Sequence, residues 1–336
     1  MTSRPVVSVT GASAGIGRAI ALAFAAEWGA AVGLIARSAE ALEEVRREVD
    51  RLGGKGLALP LDVADHAAVS AAAGQVEQML GPIDVWINNA MVTVFGPVEH
   101  LEPEELRRVT DVTYLGSVFG IQAALRHMKP RDRGTIVQIG SALAYRSIPL
   151  QSAYCGAKHA IKGFLDSLRS ELIHDGSNVQ LTMVQLPAVN TPQFDWARSH
   201  MPYRAQPMGK IFQPEDIGRA IVRVAERPRR EYWLGATAIE AILGNFLVPQ
   251  YADHYLANTA VEGQQTPEPE TPGRPDNLFQ PVDGQHRMRG RFGLPRHHLR
   301  LSASGPATRI ATVAAGSALA VGLGLLAGTA LASRSR

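Results

Sequence analysis

With 336 residues, about 46% of them apolar and 19% charged, the chain is long enough to bury a substantial core and has the make-up of a folded protein. A formal net charge of +3 argues against a nucleic-acid binder along the whole chain, and a single cysteine, Cys155, excludes a disulfide framework within it. The charge is uneven, because Arg287, Arg289, Arg291, Arg296, Arg300 and Arg309 share a stretch that contains no acid.

Met1 to Pro5 lead straight into a strand-like run, with no signal peptide. Strands are predicted at Val6–Val9, Ala31–Ala36, Gly56–Leu61, Ile83–Ile87, Thr135–Ile139, Val179–Gln185 and Tyr232–Leu234. Helical patterns lie between them at Gly17–Glu27, Ala39–Leu52, Ala67–Leu80, Pro103–His127, Ala153–His174 and Glu215–Ala225. Several strands are apolar almost throughout, as burial on both faces requires. The alternation predicts an α/β fold, a doubly wound Rossmann-type parallel sheet of about seven strands flanked by helices.

An apolar helical segment, Thr237–Leu256, would pack onto this body and complete a domain spanning 1–258. Residues 259–308 are rich in Pro, Gly, Gln, Arg and His, and are expected to form a disordered linker. Residues 309–336 form a hydrophobic tail in which Ile310–Ala332 carries no charge. As a helix that stretch would be roughly 35 Å long, against a hydrocarbon core of about 30 Å. Arginines before it outnumber those after it, which predicts a membrane anchor with the catalytic domain in the cytoplasm. Gly316, Ala320, Gly324 and Gly328 share one helical face and would permit close packing.

The first strand runs into Thr10-Gly-Ala-Ser-Ala-Gly-Ile-Gly17. Gly11, Gly15 and Gly17 would allow a tight turn and close approach to a pyrophosphate, at the positive end of the helix that begins near Ile16. Further on, Ser141 ends the fifth strand, and Tyr154 and Lys158 follow 13 and 17 residues later. Tyr154-Cys-Gly-Ala-Lys158 puts tyrosine and lysine one helical turn apart on one face. A nearby ammonium favours a phenolate, so Lys158 is expected to lower the Tyr154 pKa, making the tyrosine a general acid/base while Ser141 binds the substrate oxygen. The lysine would also reach the ribose of a dinucleotide held at the glycine loop.

Taken together, these motifs resemble the short-chain dehydrogenase/reductase family in its TGxxxGxG and YxxxK form, over about Pro5 to Gly235. The resemblance implies hydride transfer between a nicotinamide cofactor and an alcohol/carbonyl pair, with Ser13, Ala14 and Ile16 of the glycine loop at the cofactor. At the end of the second strand stand Arg37 and Ser38, with no acid, so NADP (NADPH) is the expected cofactor. The second base that some members carry in the glycine loop is Ala14 here. Asp62 and Val63 would meet the adenine. Of Asn88-Asn89-Ala90, the first asparagine would brace the sheet and the backbone would line the ribose. The glycine usual after this triplet is Met91.

Thr113 stands where the family usually has a catalytic asparagine. Pro187, Val189 and Thr191 match a segment that contacts the carboxamide and phosphates. Pro192–Phe212, with Phe194, Trp196, Met201, Tyr203 and Met208, is the expected lid over a lipophilic substrate. His127, His159, His174 and Glu171 show no metal-ligand arrangement, and the chemistry needs no metal. Members commonly form homo-oligomers through the helix bearing the tyrosine. The alternative is a membrane-tethered NADP-binding scaffold or redox sensor with vestigial catalysis.

Overall fold

The computed structural model describes residues 4–293 and 301–304. Seven parallel strands form its centre: β1 (Val6–Thr10), β2 (Ala31–Ala36), β3 (Lys55–Pro60), β4 (Val85–Asn88), β5 (Thr135–Ile139), β6 (Gln180–Gln185) and β7 (Glu231–Leu234). Their order is β7-β6-β5-β4-β1-β2-β3, and β8 (Leu301–Ser304) adds an antiparallel edge beside β7. The period of two is plain in β4, where Val85 and Ile87 enter the core on one face and Trp86 the core on the other. Strand order reverses between β1 and β4, and at such a reversal the carboxyl ends of the strands leave a crevice.

On one face lie α1 (Gly15–Trp28), α2 (Ala39–Arg51) and α7 (Pro214–Glu226), which bury Phe24, Val45 and Ile221. The other face carries α3 (His66–Met79), α5 (Gly116–Met128) and α6 (Ser152–His174), which bury Val69, Ile121 and Leu165. A short helix, α4 (Pro103–Val109), runs into α5 through the π-helical turn Thr110–Leu115. On α7, a Cβ at Gly218 would stand 2.5 Å from the Ala19 carbonyl oxygen, so glycine there lets α1 and α7 meet backbone to backbone.

The C-terminal third departs from expectation. Instead of one apolar helix there are two, α8 (Ala236–Leu247) and α9 (Pro249–Gly263). The break falls at Val248 (φ −141°, ψ 59°), because a proline pushes the residue before it out of the α region.

Residues 259–293 are not a disordered linker. Gln265–Pro269 pairs antiparallel with Tyr203–Ala205, Leu278 and Val282 are buried, and Arg274 donates to the carbonyls of Asp195 and Ala197 at 2.5 and 2.8 Å. Poor in apolar residues, this segment is ordered by strand pairing and by arginine hydrogen bonds to backbone oxygens. The uncharged stretch Ile310–Ala332 lies outside the described residues. Among those described, no helix is long and apolar enough to cross a membrane.

Candidate active site

The chain leaves β1 at Thr10 and turns through Gly11, whose φ of +68° lies in the left-handed region. A Cβ on Gly11 would lie 2.9 Å from Ala90 Cα, and one on Gly17 would fall onto the Gly11 carbonyl oxygen. Only glycine fits either position. Asn89 braces the turn, donating from Nδ2 to the Thr10 carbonyl at 3.0 Å, while Thr10 Oγ1 accepts from the backbone of Asn89 and Ala90 at 2.9 and 3.0 Å. The resemblance gives the first asparagine to the sheet and assigns the second no bracing part, yet it is the second that braces the loop. Asn88 turns away, accepting from Trp86 Nε1 at 2.9 Å.

Two hollows open at the crevice. A cleft of about 160 Å³ is lined by Gly11, Ser13, Ala14, Gly15, Arg37, Ser38, Asp62, Val63 and Ala90. A cavity of about 530 Å³ holds Ser141, Tyr154, Lys158, Pro187 and Val189. Ile16, Asn89, Met91 and Thr191 line both, so the two meet there. Of the residues expected to act in catalysis or to bind the cofactor, only Gly17 and Thr113 line neither. The loop with no room for side chains, the Arg37 guanidinium and the elongated double hollow all suit a dinucleotide.

Thr113 is fully buried behind the crevice. Its hydroxyl donates to the Val92 carbonyl at 2.9 Å and accepts from the Val92 amide at 3.1 Å. Its one proton and one of its two lone pairs are spent tying the π-helical turn to the segment after β4.

At the catalytic end, Ser141 leaves β5 and its Oγ accepts from the Leu143 amide at 3.2 Å. The Ser141 and Tyr154 side chains line the same cavity. One turn along α6, Lys158 Nζ donates to the Ile139 carbonyl at 2.9 Å and stands 5.4 Å from the centroid of the Tyr154 ring. Burial pulls the ammonium down to a pKa of about 8. Burial also pushes the Tyr154 phenol above its ordinary value, against the smaller opposing effect of the nearby Ser141 side chain. The expectation of a phenol made acidic by lysine is thus reversed: desolvation dominates, the ammonium is engaged with a carbonyl, and the phenol keeps its proton.

Part of the cavity wall comes from α8 and α9 and the break between them, through Ala238, Ala241, Val248, Tyr251 and Leu256. Within the predicted lid, Phe194 and Met208 line this cavity, whereas Trp196 faces the cofactor cleft and Tyr203 is exposed. Arg108 had no sequence signal, yet it pairs with Asp62 and donates to the Leu278 carbonyl at 2.9 Å. Among the described residues no group of acids, histidines and cysteine is arranged to hold a metal ion.

A family model described as short chain dehydrogenase matches residues 5–201. An uncharacterized oxidoreductase of Bacillus subtilis, YxnA, is 31% identical over 84% of this chain and 79% of its own length. The 3-dehydrosphinganine reductase of Danio rerio is 27% identical, over 76% and 74%. Dehydrogenase/reductase SDR family member 7B of Bos taurus is 35% identical, but only over 55% of this chain and 58% of its own length. A solved alcohol dehydrogenase of Thermococcus sibiricus, complexed with 5-hydroxy-NADP, superposes with a TM-score of 0.59 at 27% identity, covering 68% of this chain and 95% of that one. The chain belongs to the short chain dehydrogenase family and is an NAD(P)-dependent oxidoreductase.

Proposed function

We propose that the protein is an NADP(H)-dependent reductase that interconverts a lipophilic ketone or aldehyde with its alcohol. The observation that carries this reading is that Ser141, Tyr154 and buried Lys158 share one cavity of about 530 Å³ whose walls are mostly apolar. When bound, the nicotinamide supplies or takes up the hydride.

The protein's own residues handle the oxygen and its proton. In reduction the Tyr154 hydroxyl gives its proton to the carbonyl oxygen, and the Ser141 hydroxyl donates a second hydrogen bond to it. Lys158, protonated below about pH 8, offsets the charge left on the phenolate. Burial keeps the proton on the phenol but also makes it harder to give up, so the ammonium of Lys158 must stabilise the phenolate as it forms. Arg37, with no acid beside it at the strand end, supports NADP over NAD. The relative named a 3-dehydrosphinganine reductase and the neighbour solved with 5-hydroxy-NADP support the same substrate class and cofactor. In this reading Ile310–Ala332 tethers the enzyme to a membrane, where a poorly soluble carbonyl is concentrated.

The test is to add a panel of lipid, steroid and aromatic carbonyls to the full chain with NADPH and follow absorbance of the reduced cofactor. Loss of absorbance with a lipophilic carbonyl is the expected result. No loss with any carbonyl, alongside tight cofactor binding, would establish a cofactor-binding scaffold instead.

A further inference from the structure

Residues 274–293, beyond the segment matched by the family model, run as a strap across the cofactor cleft. Asn277, Pro281, Val282 and His286 of this strap form part of the wall of the cleft, facing Arg37, Ser38 and the glycine loop. It is tied to the end of β2 and to the glycine loop with the helix that follows. Arg37 donates from Nη2 to the Asn277 carbonyl at 2.6 Å and from Nη1 to the Leu278 carbonyl at 3.4 Å, which fixes the guanidinium and leaves the rest of its five N–H groups for a ligand. The Gly15 amide donates to the Arg287 carbonyl at 3.0 Å, and Arg18 Nη1 to the His286 carbonyl at 2.9 Å. These last two bonds hold His286 against the loop that contains Ala14.

The His286 ring packs at 5.3 Å from the Trp196 ring, and both of its nitrogens are shut off from solvent with no hydrogen-bond partner. A buried, unpartnered imidazole is costly, and a ligand in the cleft completes it once the ring turns a nitrogen toward the cleft that the residue already lines. Neighbouring charges are mixed: Arg37 at the end of β2, Arg18 on α1, Glu44 on α2 and Asp283 on the strap itself. Burial, followed by the Arg37 charge, holds the ring below its ordinary value, so it is neutral at pH 7 in the free protein.

We propose that His286 is a cofactor-specificity residue, a second reader of the 2′-phosphate of NADP opposite Arg37, filling from the strap the place of the base that the glycine loop lacks at Ala14. This inference rests on the NADP reading above. A phosphate dianion beside the ring favours imidazolium, so binding takes up a proton at His286 and strengthens as pH falls toward 6. A cofactor without the 2′-phosphate gains nothing from that proton.

The test measures binding of NADP⁺ and NAD⁺ by titration calorimetry at pH 6 and pH 8, for the full chain and for its His286→Ala and His286→Gln variants. The expected wild-type preference for NADP⁺ widens from pH 8 to pH 6. Both variants should bind NADP⁺ about tenfold more weakly at pH 6, the scale of one charge-assisted hydrogen bond, and lose most of the widening. Titration of the phosphate itself persists in the variants and is thereby subtracted. NAD⁺ affinity within twofold of wild type shows that strap and loop remain folded. If the wild type prefers NADP⁺ and the variants keep both the preference and its pH dependence, the role of His286 is overturned while the NADP reading stands. If the wild type binds NAD⁺ as tightly as NADP⁺, the NADP reading fails and the role falls with it.

Discussion

Lys158 reaches across from α6 to the backbone of β5, where its Nζ donates to the Ile139 carbonyl at 2.9 Å, two residues before Ser141. That bond joins the tyrosine-bearing helix to the serine-bearing strand. It fixes the ammonium beside the Tyr154 ring, so three groups scattered over 18 residues act as one unit.

If the Tyr154 hydroxyl is the proton donor, Tyr154→Phe should lower carbonyl reduction by about 10²–10⁴-fold, the usual worth of a positioned general acid. NADPH affinity, read by fluorescence titration, should stay within about twofold, because the ring remains and only the hydroxyl is lost. Turnover retained at the wild-type rate would remove Tyr154 from the chemistry.

The pH dependence has a definite sign. Burial sets the Lys158 pKa at about 8, below its ordinary 10.5, so the ammonium is present below that pH and lost above it. The kcat/KM for reduction should therefore be level between pH 6 and 7 and fall as pH rises through 8. Lys158→Arg, which keeps its charge, should remove that falling limb at whatever rate it retains. A profile that stays level to pH 10 in the wild type argues against a working ammonium.

Thr113→Val replaces a hydroxyl that serves both polar groups of Val92 by a methyl of similar size. Each buried backbone group left without a partner costs about 1–3 kcal/mol, so denaturant unfolding should show a clear loss of stability. If Thr113 is a brace, turnover per folded molecule under stabilising conditions should change less than about fivefold, a bound well short of the loss of a catalytic group. A deep loss of kcat with unchanged stability would point to a part in proton relay.

Gly17→Ala places a methyl on the Gly11 carbonyl oxygen and against Asn89. The loop must spread, at about 1–3 kcal/mol. Both cofactor affinity and thermal midpoint should fall, whereas Gly156→Ala, at an open position on α6, should leave both near wild type. Equal behaviour of the two variants would show that the loop does not need its close contact.

Removal of Thr308–Arg336 should move the protein from the membrane fraction to the soluble fraction on cell lysis, with activity kept. Sedimentation of the truncated chain with membranes would place the anchor elsewhere.

The sequence by itself determined what local backbone geometry writes into short spacings. Alternating apolar runs set the seven parallel strands, left-handed turns demanded Gly11 and Gly15, and a helical turn brought Tyr154 and Lys158 to one face. Tertiary structure alone decided which asparagine braces the loop, what the ammonium touches, and that Thr113 is tied to Val92. It also decided the strap. Arg37 meets Asn277 across 240 residues and Arg18 meets His286 across 268, through bonds to backbone oxygens. Such bonds carry no periodicity and no residue preference on the accepting side, so a polar, proline-rich stretch with little apolar surface reads as disordered although arginines from elsewhere in the chain hold it in place.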